Sequence, residues 1–329
     1  VFKVQSHDHD YTVEFKSLDV ADIQALGDYF IVDRHVLDHV GNLPNAIVVD
    51  ANEELKSYAQ AACIIELLID KGLKRNHTLV AVGGGIVQDL TCWIASTYMR
   101  GIDWNFVPTT LLAQTDSCIG SKSSINFLGY KNLLGTFNAP QKVLICPEFL
   151  TTLNQADIRS GKAELIKLLI IGNFDVQHIE KVIHADNNAL ADYIKTALEV
   201  KRNFIQADEF DTGVRNILNY GHCFGHALES ASDYRIPHGI AVAMGMDLAN
   251  KLNDALTFNR YHHILKDLYA DFLPLNIDTD RAIRAMNQDK KNTTGVANII
   301  VPGPDGLFKN KYNTTAEFWQ QCKDLIESL

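Results

Sequence analysis

The sequence predicts an α/β amino-terminal half followed by a mostly α-helical carboxy-terminal half. Three observations carry this reading. Short unbroken apolar runs, rich in β-branched residues, recur through the first 150 residues; helical apolar spacing fills the gaps between them; beyond that point such runs become rare. Runs without alternation suit parallel strands covered on both faces. Tyr29-Phe30-Ile31-Val32 before Asp33 and Ala46-Ile47-Val48-Val49 before Asp50 read as the first two. Residues 53–72 read as a helix, with Leu55, Ala59, Ala62, Cys63, Leu67 and Leu68 on its inward face. Leu79-Val80-Ala81-Val82 is a buried strand that ends at Gly83-Gly84-Gly85, and a helical stretch runs from there to about Tyr98. Trp104-Asn105-Phe106-Val107 is a further strand, stopped by Pro108. Strand and helix in alternation imply a parallel sheet with helices on its faces. Helical patterns then cover 155–172, 176–207, 213–233 and 238–256, and one late strand, Ala297 to Val301, lies between Gly295 and Pro302. We therefore place an α/β domain at 1–150 and a helical domain at 151–329. A site between two such domains is the default expectation.

Composition narrows the function. Of 329 residues, 47% are apolar and 21% charged, which rules out a disordered chain. The net charge of −10 argues against nucleic acid as a partner, because phosphate backbones recruit basic surfaces. The most apolar stretch, Leu165 to Ile171, falls far short of a membrane span, and Val1-Phe2-Lys3-Val4 lacks the layout of a signal peptide. The expectation is a cytoplasmic protein without membrane contact. The six scattered cysteines, Cys63, Cys92, Cys118, Cys146, Cys223 and Cys322, read as reduced, small buried side chains.

Three segments are suited to chemistry. Gly83-Gly84-Gly85-Ile86-Val87-Gln88-Asp89 stands between a strand and a helix, where glycine lets a pyrophosphate approach free helix N–H groups. It is not the G-x-G-x-x-G fingerprint, so a plain tight turn remains the alternative. In Asn219-Tyr220-Gly221-His222-Cys223-Phe224-Gly225-His226, helical spacing puts His222 and His226 on one face. His238 stands where a helix can begin, and Glu164 lies on an otherwise apolar helix. A buried glutamate needs a counter-charge, and a metal supplies one; packed or surface histidines are the alternative. Asp116-Ser117-Cys118-Ile119-Gly120-Ser121-Lys122, followed by Lys131-Asn132, is a small-residue loop whose lysines suit a phosphate or carboxylate, or is simply solvated. His7-Asp8-His9-Asp10 looks metal-like, but its terminal position weighs against a ligand site.

Together these segments resemble the sugar phosphate cyclases, most nearly their dehydroquinate synthase branch. The landmarks follow the family's order from Gly83-Gly84-Gly85 with Asp89 through Tyr98-Met99-Arg100-Gly101, Pro108 to Gln114, Asp116 to Lys122, Lys131-Asn132, Glu164-x-x-Lys167, Arg215, Asn219-x-Gly221-His222-x-x-Gly225-His226 and His238-Gly239 to Asp289-Lys290-Lys291. The resemblance implies a Rossmann-like NAD-binding domain and a helical metal-binding domain. It implies Glu164, His222 and His238 as ligands of zinc, with cobalt as a substitute. Asp33, Glu53, Lys56, Gly83, Gly84, Gly85, Asp89, Thr109, Thr110 and Thr152 fall at NAD positions. His226, Lys122, Asp116, Lys167 and Asn132 fall at catalytic positions, and Arg100, Lys131, Lys201, Arg215, Asn219 and Lys290 at substrate positions. Arg100 matches an arginine that serves a neighbouring subunit, which implies a homodimer.

The implied activity is conversion of 3-deoxy-D-arabino-heptulosonate 7-phosphate, a small-molecule substrate, to 3-dehydroquinate and phosphate. Cyclases making 2-deoxy-scyllo-inosose or epi-valiolone, and metal-dependent polyol dehydrogenases, remain alternatives. Arg215 weighs against the other cyclases, whose substrates lack a carboxylate. The chain departs from the family's usual pattern at Gln88 and Ser121 (commonly glycine), at Ile240 (commonly glutamate) and at His35 (frequently asparagine).

Overall fold

A computed structural model describes residues 1–128, 130–253, 255–288, 295–303 and 306–329. The chain divides into two compact units: residues 1–154 with 187–194 and 202–210, and residues 155–186 with 195–201 and 211–329. The long helix Asn187–Ala207 thus contributes to both.

The first unit is built on a seven-stranded sheet. Its strands are β1 (Phe2–Val4), β2 (Tyr11–Phe15), β3 (Tyr29–Asp33), β4 (Ala46–Val49), β5 (Leu79–Gly83), β6 (Trp104–Pro108) and, after the hairpin strands β7 (Lys122–Phe127) and β8 (Tyr130–Phe137), β9 (Lys142–Ile145). The order is β1-β2-β9-β6-β5-β3-β4, parallel except for the β1–β2 pair. β3, β5 and β6 are buried along their whole length, as unbroken apolar runs require. Phe30, Val32, Val80, Val82, Val107, Leu144 and Phe149 form one core with Ile23, Val36 and Val40. The chain leaves β3 for β4 on one side and returns to β5 on the other. The strand order therefore reverses between β3 and β5, and ligands bind beyond the carboxyl ends of strands at such a point. Asp33 and Gly83 stand at those two ends.

Several sequence expectations are corrected. The helix expected over 53–72 is Tyr58–Asp70: Ser57 accepts from the Gln60 amide and caps it. Its buried face is Ala61, Ile64 and Leu68, while Ala59, Ala62, Cys63 and Leu67 are exposed. Cys63 is thus the exception among the cysteines; the other five are buried. Lys122 and Lys131-Asn132 lie not on a loop but on the β7–β8 hairpin, which packs against helix Gly85–Thr97.

The second unit centres on helix His238–Asn253, buried from Gly239 to Asn250 and packed against helices Gln155–Ile171, His222–Ala231 and Ala255–Tyr269. An antiparallel hairpin, β10 (Val296–Gly303) with β11 (Gly306–Asn313), completes it with helices Thr279–Asn287 and Ala316–Glu327. The helix expected over 176–207 is two, Val176–His184 and Asn187–Ala207. The one expected over 213–233 is a 3₁₀ segment, Val214–Asn219, followed by His222–Ala231. Gly221, at φ +79°, makes that break. Among the described residues no helix is long and apolar enough to cross a membrane.

Within the first unit Glu209 ties down both the amino-terminal segment and the root of β7. Ser6 Oγ (2.5 Å), the His7 amide (2.6 Å) and Ser121 Oγ (2.8 Å) all donate to its carboxylate. Burial alone would push this carboxyl up; the donors, Ser6 and Ser121 foremost, outweigh it and hold it below the ordinary glutamate range. A depressed carboxyl contributes stability above its unfolded value and loses it as pH falls through the folded one. Glu209→Gln should therefore be about 1–2 kcal/mol less stable than the parent in urea at neutral pH. The gap should close as pH drops through the acid range. A gap that stays constant down to acid pH would contradict the role of the charge.

Candidate functional site

Two close backbone approaches assemble a cluster in the second unit. A Cβ on Gly239 would sit 1.9 Å from the Ser160 carbonyl oxygen, so only glycine lets the start of helix His238–Asn253 lie against helix Gln155–Ile171. Ser160 Oγ accepts from the Gly239 amide at 2.9 Å and satisfies one of the new helix's free N–H groups. One turn beyond Ser160 stands Glu164. A Cβ on Gly245 would sit 2.0 Å from the Gly221 carbonyl, which brings the start of helix His222–Ala231 to the same place.

Glu164, His222 and His238 meet there, with one ligand atom of each inside a 4.8 Å span. Glu164 is 1% exposed. His222 Nε2 lies 3.7 Å and His238 Nε2 3.4 Å from the same oxygen, Glu164 Oε1. The Tyr220 carbonyl, 3.1 Å from His222 Nδ1, can only accept, so Nδ1 carries the proton and Nε2 offers its lone pair inward. Lys167 Nζ is 2.5 Å from Glu164 Oε2, yet neither carboxylate oxygen receives a hydrogen bond of good geometry from the described residues. Burial opposes charge on His238, but Glu229 and then Glu164 outweigh it and push its pKa up to about 10. Such a pocket holds positive charge, either a proton or a metal. An acidic oxygen and two imidazole nitrogens facing one point fit a divalent cation with open positions. His226 stands one turn beyond His222, its ring 5.2 Å from the His222 ring and stacked 5.9 Å from that of His238.

Arg215 and Lys201 are both buried in the second unit, but Arg215 and His222 do not share a continuous helix: Gly221 separates them. Asn219 closes its own turn onto the Asn216 carbonyl (3.0 Å) and lines a small hollow with Asn298 and Lys309. Lys290 lies outside the described residues.

The first unit carries a second network. Gly84 caps helix Gly85–Thr97 at the carboxyl end of β5, and a Cβ there would meet Thr110 Cγ2 at 2.9 Å. Gly83 is needed for packing, since its Cβ would meet Val87 at 2.6 Å. Asp33 accepts from the amide and ring of His35, at 3.1 and 2.8 Å. Thr109 is buried, Thr110 Oγ1 accepts from the Ala113 amide, and Thr152 Oγ1 donates to the Phe149 carbonyl. Lys56 Nζ pairs with Asp89 Oδ2 at 2.5 Å and donates to Asn132 Oδ1 at 2.7 Å. Ser124 joins both, through its amide to Asp89 and its hydroxyl to Asn132. Burial pushes the Asp89 carboxyl above its ordinary range, with Lys56 pulling the other way. Glu53 takes a hydrogen bond from Asn126 (2.7 Å) and stands 3.4 Å from Lys131 Nζ. Residues expected to face cofactor and substrate thus share one network. Ser124 and Asn126 were not anticipated, because they are ordinary strand residues until the hairpin exists.

The structure accounts for the departures. Ser121 adopts φ +58°, which favours glycine, and its hydroxyl is used on Glu209. Gln88 exchanges two 2.6 Å hydrogen bonds with Ser117, on the turn that carries Asp116. Ile240 is fully buried in the helical core. Arg100 sits on an exposed turn where Met99, Arg100 and Gly101 all have positive φ.

A family model described as the 3-dehydroquinate synthase N-terminal domain matches residues 46–160, and the C-terminal one matches 161–292. A 3-dehydroquinate synthase of Pyrococcus furiosus is 39% identical over 263 residues, covering 79% of this chain and 78% of the relative. One from Dictyoglomus thermophilum is 37% identical over 312 residues, 91% of this chain and 86% of the relative. Among solved structures, a 2-deoxy-scyllo-inosose synthase complexed with carbaglucose-6-phosphate, NAD+ and Co2+ superposes with a TM-score of 0.84 at 22% identity, covering 99% of both chains. The 2-epi-5-epi-valiolone synthase ValA of Streptomyces hygroscopicus, with NAD+ and Zn2+ bound, gives 0.79 at 22% identity, over 97% of this chain and 96% of that one. At these identities the structures speak to the fold.

The close approach at Gly239 is directly testable. Gly239→Ala should cost at least about 1–3 kcal/mol in urea unfolding, since its methyl group meets backbone that cannot rotate away. A loss below about 0.5 kcal/mol would show that the two helices are free to separate.

Proposed function

Because the chain belongs to the 3-dehydroquinate synthase family, we propose that it converts 3-deoxy-D-arabino-heptulosonate 7-phosphate to 3-dehydroquinate and phosphate with recycled NAD and a divalent metal. The observation that carries this is the convergence of two imidazole Nε2 atoms on the buried Glu164 carboxylate. Bound there, zinc or cobalt supplies Lewis-acid polarisation of a ring hydroxyl, and NAD supplies a hydride acceptor that is regenerated within the cycle. The rest falls to the chain's own side chains. Glu164, His222 and His238 hold the cation, and Lys167 balances the charge of Glu164. His226, on the same helix face, exchanges the hydroxyl's proton, which suits an imidazole near neutral pH.

Phosphate leaves by β-elimination once the neighbouring carbon has been oxidised. Lys122, Lys131 and Asn132 bind the departing group and Asp116 handles a proton on that side. Lys201, Arg215 and Asn219 take the substrate carboxylate, which a guanidinium can pair through two parallel hydrogen bonds; Arg215 is buried. Asp33, Glu53, Lys56, Asp89, Thr109, Thr110 and Thr152 line the NAD site at the sheet's switch point, with the pyrophosphate over Gly83 to Gly85. Arg100 serves a neighbouring subunit in a cytoplasmic homodimer, an assignment supported by its exposed, left-handed turn.

Zinc-loaded protein with catalytic NAD should release phosphate from the heptulosonate without net NADH. Net NADH would point to a polyol dehydrogenase, and faster turnover of glucose 6-phosphate or sedoheptulose 7-phosphate to a different cyclase. Arg215→Ala should lower turnover of the heptulosonate by at least about 100-fold. Gly84→Val should weaken NAD at least about tenfold by calorimetry while the protein still melts cooperatively, because the side chain fills the cofactor's approach. Unchanged NAD affinity would remove the cofactor from this turn.

A further inference from the structure

His238 has a second partner that the reading above does not use. Its Nδ1 lies 3.1 Å from Glu229 Oε2, while its Nε2 lies 3.4 Å from Glu164 Oε1. Glu229 stands on helix His222–Ala231, seven residues beyond His222 and three beyond His226, so all three side chains share one face. Its side chain is only 13% exposed. A carboxylate can only accept from the ring, so Nδ1 carries the proton and Nε2 is turned toward Glu164. His222 is fixed in the same tautomer by the Tyr220 carbonyl, a neutral acceptor. The two histidines are therefore backed unequally, one by a peptide oxygen and one by a charge.

Glu229 also has a competing use. His226, Glu229 and His238 form a second group that could hold a cation, and the His238 nitrogen beside Glu229 is Nδ1. The ring cannot give Nδ1 to a metal and donate its proton to Glu229 at once. The geometry favours the first arrangement: the Nδ1 contact has hydrogen-bond length, and among the described residues no hydrogen bond of good geometry reaches the Glu164 oxygens. We propose that Glu229 is a positioning residue for the metal, accepting the Nδ1 proton of His238 so that Nε2 faces Glu164 and binds more strongly. This rests on the metal reading above. A carboxylate behind a ligating imidazole fixes ring orientation and raises basicity, and its loss typically costs 10–100-fold in metal affinity.

The test measures Zn2+ affinity of apo protein by competition with a chromophoric chelator, for wild type, Glu229→Ala and Glu229→Gln. A Co2+ absorption spectrum of each loaded protein accompanies it. Wild type should bind one equivalent. Glu229→Ala should bind 10–100-fold more weakly, and Glu229→Gln, whose amide oxygen still accepts from Nδ1, should fall between them. The Co2+ band positions and intensities should stay unchanged, because the coordinating atoms are the same. Zinc affinity in Glu229→Ala within twofold of wild type overturns the proposal and leaves the metal reading standing. A Co2+ spectrum reporting a lost ligand overturns it in favour of Glu229 as a ligand itself. A wild type that takes up no stoichiometric zinc fails the metal reading first, and the positioning role falls with it. Circular dichroism melts of the zinc-free variants separate both from misfolding, and Glu229→Gln, nearly isosteric, keeps the test usable if the alanine variant does not fold.

Discussion

A carboxylate taken out of water must find positive charge, and Glu164 is the residue around which the second unit satisfies that demand. It lies within a run buried from Ser160 to Ile170, on a helix whose apolar face would otherwise need no polar group. Lys167 answers one oxygen and two imidazoles face the other. The surrounding architecture serves this meeting. Gly239 and Gly245 remove the side chains that would hold three helices apart, and Gly221 turns the chain so that a new helix begins with His222. Removing the carboxylate would leave Lys167 buried without the partner it meets here.

The first unit solves a different problem. A parallel sheet whose order reverses leaves a crevice beyond its strand ends, with helix N–H groups pointing into it. At the end of β5 the chain passes into the following helix through Gly83 and Gly84, which bring backbone and no side chain to that point. The charged groups come from the β7–β8 hairpin, the segment around Glu53 and, with Asp89, helix Gly85–Thr97. Lys56, Asp89 and Asn132 hold one another in place there. Lys56 is buried against a carboxylate whose own burial disfavours its charge, and Asn132 and the Ser124 amide satisfy what the pair leaves over.

What the sequence revealed followed from how much each pattern depends on neighbours. β3, β5 and β6 were legible because a strand buried on both faces is apolar at every position. Helix Gln155–Ile171, with its lone glutamate, was legible for the same reason. The β7–β8 hairpin was not, because only Ser123 and Ile125 on β7 are buried and β8 buries none of its residues. The start of helix Tyr58–Asp70 was missed because Leu55 continued the apolar spacing, while Ser57, a good cap, stood inside it. Helical spacing marked His222 with His226, a helix start marked His238, and an apolar helix marked Glu164; the family resemblance chose Glu164, His222 and His238 from these as the ligands. Glu229 gave no signal: three residues after His226, it is indistinguishable in sequence from any glutamate on a helix surface.

The most direct measurement is the zinc K-edge X-ray absorption spectrum of the loaded protein, recorded with the same chain in which His222 or His238 is replaced. The account predicts a nitrogen and oxygen shell near 2.0–2.1 Å with two imidazoles and no sulfur, and loss of one imidazole signature in each variant. A sulfur shell near 2.3 Å, or an imidazole count unchanged by both replacements, would place the metal elsewhere and contradict the role given to Glu164.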